Sequence, residues 1–371
     1  MKYYIIAGEA SGDLHGSNLV KELLKLDNEA QVRAWGGEKM QDAGATVVKD
    51  YKDLAFMGFS EVLKNLPVIL KNFRFCKQDI LQFAPDALIL IDYPGFNLRI
   101  AKWAKKLGLK VIYYISPQVW AWKESRVKEI KKNVDKMLVI LPFEKKYYED
   151  CNYEVEYVGH PLVEVIEEQQ RKEIKKLSQR PVIALLPGSR KQEIRRKLPV
   201  MLETAKYFPA YDFIVARAPG LPDEYYSQFM STYKNVMGVS NLTYDLLRQS
   251  QAALVTSGTA TLETALFRVP EVVCYKASQL SYQIGKRLIK IKYISLVNLI
   301  MDKLVVKELI QSEFTSKNLT GELTSILTDA TRSLRIQEDY EALKELLSKG
   351  GHASANAAKS IFEFLSNQTS I

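Results

Sequence analysis

The sequence is poor in the residues that build disulfide frameworks and most metal centres. Its 371 residues include three cysteines and three histidines, and neither set contains a CxxC pair or a pair at metal-ligand spacing. A disulfide-stapled secreted domain and a zinc site are therefore not expected. We predict that the protein uses no metal and no cofactor.

Long apolar runs are also missing. A membrane-spanning helix needs about eighteen or more apolar residues in a row, and the N-terminal apolar run is interrupted at Glu9, too early for a signal-peptide core. We therefore expect a cytoplasmic chain. The net charge of +9 favours an anionic partner such as a lipid surface or a phosphorylated substrate. Zinc fingers, RNP-type aromatic motifs and basic tails are absent, so nucleic acid is not an expected partner.

The apolar segments alternate with stretches of helical length. Strand-like runs lie near residues 3–7, 86–92, 110–116, 136–141, 181–186, 211–216, 252–256 and 271–276. Continuous apolar strands separated by helices are typical of parallel sheets covered on both faces. Because the chain is too long for one core, the pattern predicts an α/β protein with two doubly wound, Rossmann-like domains and a central cleft between them.

The domain boundary is expected near residue 163. The motif GHPL at 159–162 is followed by the charged stretch EVIEEQQRKEIKKLSQR, which is typical of a solvated helix after a boundary. We predict domains at 1–163 and 164–340 and a helical segment at 341–371.

The motif PGSR at 187–190 follows the apolar strand VIALL directly. Gly188 and Ser189 can expose backbone donors at the end of this strand, and Arg190 can reach an anion there. Gly-Ser turns are common, so the motif alone more often marks a simple turn and helix cap.

The motif SGTATLE at 257–263 stands in the same relation to the strand AALVT. Ser257, Gly258 and Thr259 would place N–H and hydroxyl donors at the positive end of a helix, where a diphosphate fits. Glu263 lies about one turn further on and can accept hydrogen bonds from ribose hydroxyls. Two such motifs in one domain favour a nucleotide diphosphate over two unrelated turns.

The first domain has an acidic counterpart. The turn AGEASGD at 7–13 carries Glu9 and Asp13, and Asp92 ends the strand ALILID. Carboxylates would repel a phosphate but accept hydrogen bonds from sugar hydroxyls. In the simpler alternative, Ser11 or Asp13 caps a helix and Asp92 begins a turn before Pro94.

Eight motifs in order across about four-fifths of the chain carry a family resemblance. They are GEASGD, IDYPGFN, SPQVWAW, LPFE, VGHPL, LLPGSR, SGTATLE and YISLVNL. Together they resemble the lipid-A-disaccharide synthase family of inverting GT-B glycosyltransferases. The resemblance implies that UDP-2,3-diacylglucosamine and 2,3-diacylglucosamine 1-phosphate are joined into the β-1,6-linked lipid A disaccharide, with release of UDP. It also implies that the C-terminal helix returns to the N-terminal domain.

The resemblance implies roles for particular residues. Asp92 and Glu9 would be catalytic, with Asp92 deprotonating the 6-hydroxyl of the acceptor, and His15 is a further candidate for the base. Substrate binding is assigned to Ser11, Asp13 and Asn298, and nucleotide binding to Gly188, Ser189, Arg190, Ser257, Gly258, Thr259 and Glu263. The chain departs from the pattern at Gly95, where some relatives have a second carboxylate.

Acylated substrates imply contact with a membrane. We expect the protein at the inner face of the cytoplasmic membrane, bound peripherally through its N-terminal domain, and we leave open a homodimer. The segment 61–83 interleaves large apolar residues with Lys64, Lys71, Arg74 and Lys77, as lipid-contacting helices do, although a helix that covers a sheet would look similar. A UDP-sugar epimerase and a non-catalytic membrane-surface protein remain as alternative functions.

Overall fold

The computed structural model describes residues 1–54, 66–122, 125–288 and 291–367. These residues form two compact units. Unit 1 comprises Met1–Pro161 together with the C-terminal segment that begins at Leu347, and unit 2 comprises Leu162–Leu346.

Unit 1 is built on a parallel sheet in which the described strands have the order β3-β2-β1-β4-β5-β6-β7. Its strands are β1 (Lys2–Ala7), β2 (Gln31–Gly36), β3 (Thr46–Asp50), β4 (Ala87–Ile91), β5 (Lys110–Tyr114), β6 (Lys136–Val139) and β7 (Glu156–Tyr157). The central strands are apolar on both faces because helices cover both sides of the sheet: β1 from Tyr3 to Ala7 and β4 from Ala87 to Ile91 are buried throughout.

The helices of unit 1 connect these strands. They are α1 (Ala10–Leu26), α2 (Glu38–Asp42), α3 (Leu66–Phe83), α4 (Pro94–Lys106), α5 (Val119–Trp122), α6 (Ser125–Asn133) and α7 (Pro142–Asp150), with a 3₁₀ turn at Tyr51–Leu54. A last helix, α17 (Ala353–Ser366), packs against α1. It is fastened to the end of β7, where Asn356 donates to the Val158 carbonyl at 3.1 Å and Ser360 donates to the Glu156 carboxylate at 2.5 Å.

Unit 2 repeats the architecture with a parallel sheet of order β10-β9-β8-β11-β12-β13. Its strands are β8 (Val182–Leu186), β9 (Asp212–Arg217), β10 (Val236–Ser240), β11 (Ser250–Thr256), β12 (Glu271–Tyr275) and β13 (Lys307–Ile310). Its helices are α8 (Pro161–Gln170), α9 (Lys191–Ala205), α10 (Asp223–Met230), α11 (Thr243–Leu247), α12 (Thr259–Leu266), α13 (Gln279–Leu288), α14 (Leu296–Met301), α15 (Ser316–Thr328) and α16 (Ala330–Ser348), of which the first and last extend beyond the limits of the unit.

Candidate active site

In unit 1, two acidic turns meet where the strand order reverses. β1 and β4 are neighbours, with β2 and β3 on one side and β5 to β7 on the other, so the crevice of the doubly wound sheet opens at the carboxyl ends of β1 and β4. Ala7 pairs with Ile91 at this edge. Glu9 and Asp92 follow within two residues of these strand ends, so the sheet brings the two carboxylates to the same edge.

The two turns pack closely because Gly8 has no side chain. A Cβ at this position would lie 2.4 Å from the ring of Tyr93, so any larger residue would push the β1 turn away from the β4 turn. Glycine here lets the ring of Tyr93 cover the backbone next to Glu9.

Asp92 and Tyr93 have an unusual backbone conformation. Their φ angles are 42° and 47°, in the left-handed region that residues with a side chain rarely adopt. Such conformations are costly and cluster at functional sites. The Asp92 carbonyl accepts hydrogen bonds from Asn97 Nδ2 at 2.9 Å and from the Tyr113 hydroxyl at 2.5 Å.

The carboxyl group of Asp92 has a pKa close to neutral pH. Burial raises its pKa to about 7, and the negative charge of Glu9 contributes in the same direction. A general base works best when its pKa lies near the working pH. Asp92 thus combines a position at the sheet crevice with the proton affinity of a base at neutral pH.

Asp13 lies inside the unit. It is 3% exposed and accepts hydrogen bonds from the backbone N–H groups of Gly37 at 2.7 Å, Met40 at 3.1 Å and Lys39 at 3.2 Å. The carboxylate therefore fixes the turn from β2 into α2, and its burial leaves almost no surface for a direct contact with substrate. Ser11, by contrast, is exposed on the first turn of α1.

His15 is a poor candidate for the base. It is 6% exposed, and its Nδ1 has no hydrogen-bond partner among the described residues. Burial lowers its pKa to about 4, and that of the neighbouring His160 to about 3. An imidazole with so low a pKa is a weak proton acceptor and is enclosed in the core of the unit.

In unit 2 the strand order reverses between β8 and β11, and both glycine motifs lie at this point. Leu186 pairs with Val255, so PGSR and SGTATLE leave neighbouring strands at the same edge. Gly188 and Gly258 have φ angles of 112° and 149°, in the region that favours glycine. The two turns therefore owe their shape to these glycines.

The polar groups of this edge suit an anion. Arg190 is the N-cap residue of α9 and is about half exposed. Its Nη1 forms an ion pair with Oε1 of Glu193, in the first turn of that helix, at 3.5 Å. Thr259 begins α12, whose N-terminus carries a partial positive charge. Ser257 donates to the Ile294 carbonyl at 2.7 Å, which ties the turn to the YISLVNL segment.

Glu263 lies further along α12 and is held by a tyrosine. The Tyr244 hydroxyl donates to its carboxylate at 2.8 Å, and burial raises the pKa of the glutamate. One carboxylate oxygen is thereby fixed. Tyr244 could not be predicted from the sequence, since a lone tyrosine before DLLRQS carries no motif.

Asn298 is completely enclosed. Its amide nitrogen donates to the Val306 carbonyl at 2.8 Å and to Glu308 at 2.9 Å, and its oxygen accepts from the N–H groups of Val305 and Val306 at 2.9 and 3.0 Å. With no exposed surface and every hydrogen-bonding position used, the side chain has none left for a substrate. Its contribution is to fix the loop between α14 and β13.

Helix α3 presents two different faces. Phe73, Cys76 and Ile80 pack into the core of unit 1. The opposite half exposes four large apolar side chains by 40% to 60% of their surface: Val68, Leu70, Phe75 and Leu81. At 100° per residue, Val68 and Phe75 lie along one side of this half of the helix, and Leu70 and Leu81 lie along the other side. Lys71 and Arg74 lie between these two pairs. Lys64 lies outside the described residues, and no described helix is long and apolar enough to cross a membrane.

Within the part of the chain that the structure describes, no three histidine, cysteine, aspartate or glutamate side chains are gathered so that they could hold a metal ion.

Solved structures of low sequence identity share this fold. The glycosyltransferase of kitacinnamycin superposes with a TM-score of 0.68 at 12% identity, covering 98% of this chain and 99% of its own. The UDP-GlcNAc 2-epimerase from Neisseria meningitidis bound to UDP-GlcNAc gives a TM-score of 0.61 at 15% identity, covering 99% of this chain and 100% of its own. The likeness confirms the predicted GT-B-type fold of two Rossmann-like domains, but both kinds of enzyme have that fold.

Sequence similarity distinguishes between a glycosyltransferase and an epimerase. The lipid-A-disaccharide synthase of Trichlorobacter lovleyi is 40% identical over 357 residues, which cover 94% of this chain and 93% of that protein. The family model described as lipid-A-disaccharide synthetase matches residues 3–362. The chain therefore belongs to the lipid-A-disaccharide synthetase family.

Proposed function

We propose that the protein joins UDP-2,3-diacylglucosamine to 2,3-diacylglucosamine 1-phosphate, giving lipid A disaccharide 1-phosphate and UDP with inversion at the anomeric carbon. Its membership of the family supports the reaction. The observation that supports the division of labour is the different chemistry of the two sheet edges. Unit 1 carries two carboxylates on its turns, whereas unit 2 carries glycine turns, a helix N-terminus and Arg190, which is paired with Glu193.

Asp92 is the proposed base. In an inverting transfer the 6-hydroxyl oxygen of the acceptor attacks the anomeric carbon, the bond to the UDP oxygen breaks, and the hydroxyl proton is taken up. A carboxylate with a pKa of about 7 accepts this proton efficiently near neutral pH. In this proposal Glu9 keeps that pKa raised and, with Ser11, hydrogen-bonds sugar hydroxyls.

The edge of unit 2 is the proposed site for UDP. Arg190 and the N-terminus of α12 would stabilise the charge that develops on the leaving diphosphate, and the backbones of Gly188, Ser189 and Gly258 allow close approach. We assign the remaining carboxylate oxygen of Glu263 to the ribose. Because these groups supply positive charge themselves, the proposal includes no metal ion.

Asp13 and Asn298 act indirectly in this scheme. Each is enclosed and bonded to backbone groups, so we propose that they shape the turns near the substrates rather than contact them. This differs from the direct contact that the family resemblance implies. The reason is the burial of the Asp13 carboxylate and, for Asn298, the full use of its hydrogen-bonding positions.

The reaction itself is tested by a product assay. The purified protein is incubated with both lipid precursors, and UDP and the tetra-acyl disaccharide are measured by mass spectrometry, with and without EDTA. We expect both products in equal amounts and no loss with EDTA. Conversion of UDP-diacylglucosamine alone into an isomer would instead indicate an epimerase, and an EDTA effect reversed by Mg²⁺ would assign the neutralising charge to a cation.

We further propose that the outer half of α3 binds the inner face of the cytoplasmic membrane. Its exposed apolar side chains would enter the boundary between the lipid head groups and the acyl chains, while Lys71 and Arg74 contact anionic head groups. Each basic residue contributes on the order of 1 kcal/mol to the free energy of membrane binding. Lys77 contributes less to that surface because its ammonium lies over the ring of Trp103, 5.4 Å from the centroid.

Liposome sedimentation tests this surface. Replacing Val68, Leu70, Phe75 and Leu81 with serine should release the protein from vesicles that contain anionic lipid while UDP binding is kept. In the control variant Leu26 and Leu107 are replaced with serine, because these side chains are similarly exposed elsewhere in unit 1. Equal sedimentation of both variants would rule α3 out as the contact. Sedimentation velocity of the same samples determines whether a homodimer, the other expected partner, forms.

A further inference from the structure

Two buried side chains that the proposed chemistry does not use meet at the main chain of Asp92. The two N–H groups of the Asn97 amide nitrogen are shared among three carbonyls, those of Ile6 at 3.3 Å, Ile91 at 3.2 Å and Asp92 at 2.9 Å. All three neighbours only accept hydrogen bonds, so the nitrogen of the amide has to face them. One side chain therefore ties the end of β1 to the end of β4.

The second side chain is Tyr113, the next-to-last residue of β5. Its hydroxyl donates to the same Asp92 carbonyl at 2.5 Å. Asn97 and Tyr113 have no exposed surface, so water does not compete for these bonds. The Asp92 carbonyl is thus fixed from two directions by groups on two different elements.

The conformation that they fix is one that the chain would not hold unaided. Asp92 and Tyr93 are consecutive residues with positive φ, and neither is glycine. A conformation of this kind persists where the surroundings over-determine it. If the carbonyl of Asp92 were released, the peptide could relax and its carboxylate would leave the position beside Glu9.

We propose that Asn97 and Tyr113 are positioning residues, which hold Asp92 in its left-handed conformation so that its carboxylate is kept beside Glu9 and directed at the acceptor hydroxyl. The inference rests on the proposed function, in which Asp92 is the base. It adds that the reactivity of the carboxylate depends on hydrogen bonds to its own main chain.

Tyr113→Phe is the test, because it removes the hydroxyl and leaves the ring. Tyr148→Phe is the matched control: Tyr148 is equally buried in the same core, and its hydroxyl bonds to Ser116 Oγ at 2.7 Å rather than to Asp92. Among the residues that the structure describes, the other ionisable groups that act on Asp92 and Tyr113 are Glu9, Arg126 and Tyr148, and all of them are retained in Tyr113→Phe.

Tyr113→Phe should lower kcat about tenfold through misplacement of the base, with KM for the UDP-sugar unchanged. The acid limb of the kcat/KM profile should also move to lower pH, by about half a unit, because a relaxed Asp92 is less buried and further from Glu9. Tyr148→Phe should leave the limb in place. A general loss of packing would lower the thermal stability of both variants. It would not shift the acid limb of the kcat/KM profile in Tyr113→Phe alone.

Asn97→Ala, checked for folding by its melting temperature and UDP affinity, should show the same shift with a larger loss of kcat. If Asp92→Asn loses turnover while Tyr113→Phe and Tyr148→Phe share the wild-type limb and kcat, the positioning role is wrong and the base stands. If Asp92→Asn keeps its turnover, the assignment of the base is itself wrong.

Discussion

The two sheet edges differ in chemistry although their architecture is the same. In each unit the strand order reverses next to the first strand, and a turn followed by a helix leaves the sheet there. In unit 1 this turn and its neighbour carry Glu9 and Asp92, and the main chain is held in a left-handed conformation. In unit 2 the equivalent turns carry glycines and Arg190. The fold supplies the crevice, and a few residues in each crevice decide whether it suits hydroxyls or phosphates.

Removing the base should have the largest effect. Asp92→Asn should lower kcat by roughly 10² to 10⁴, because the amide cannot take up the proton of the acceptor, and should leave UDP affinity unchanged. The control is Asp86→Asn, whose carboxylate bonds to the Lys2 N–H at the opposite end of β4. If Asp92→Asn keeps its turnover, Asp92 is not the base, and the two edges do not differ in the way proposed.

Removing the cation of unit 2 should affect binding. Arg190→Ala should lower the affinity for UDP by about 10- to 100-fold, which is the range expected when a charged hydrogen bond is lost. Arg195→Ala, an exposed arginine of the same helix, is the control. Calorimetric titration with UDP measures both. Equal affinities for the two variants would show that the diphosphate lies elsewhere.

The acidic edge can be examined through pH. With the pKa of Asp92 at about 7, kcat/KM should fall as the pH drops below 7, since protonation removes the base. Glu9→Gln removes a negative charge that raises this pKa, so the acid limb should move to lower pH, by about half a unit. A limb that stays in place would indicate that burial alone sets the pKa.

A buried acid away from either edge gives the smallest effect. Glu271 has no exposed surface, neither of its carboxylate oxygens has a hydrogen-bond partner among the described residues, and burial with nearby Glu308 raises its pKa well above 4.5. The folded chain therefore keeps a proton that the unfolded chain releases above about pH 4.5, so this group lowers stability as the pH rises.

Glu271→Gln should remove this dependence. We expect its melting temperature to exceed that of the wild type by about 2–4 °C at pH 8.5 and by less at pH 5. Glu345→Gln, an exposed glutamate of unit 2, should show no such trend. If the two variants melt alike, the buried carboxylate is already compensated in the folded state.

Much of the fold could be predicted because its central strands are continuous apolar runs. The strands that the sequence analysis missed carry charge or are half exposed. β2 contains Arg33, which is held by Asp79 through two hydrogen bonds of 2.9 and 2.6 Å, and β13 contains Glu308. A charge in a strand weakens the apolar pattern, and its partner lies far away in the sequence.

The positions of some candidate site residues could also be predicted, whereas their roles stay predictions. Glu9, Asp92 and Arg190 could be placed because carboxyl ends of parallel strands meet at one edge. The enclosure of Asp13 and Asn298 could not be predicted, since their partners, Gly37 and Val306 among them, are fixed only by the tertiary fold. Asn97 stood within the IDYPGFN motif, but its three carbonyl partners converge only once β1 and β4 pair.

The central claim is that unit 1 supplies the base and unit 2 binds the leaving group. Measuring kcat and the UDP dissociation constant side by side for Asp92→Asn and Arg190→Ala tests it most directly. The account predicts that Asp92→Asn loses at least about 10² in kcat with wild-type UDP affinity, and that Arg190→Ala loses UDP affinity. A loss of UDP affinity in Asp92→Asn, or wild-type affinity in Arg190→Ala, would contradict it.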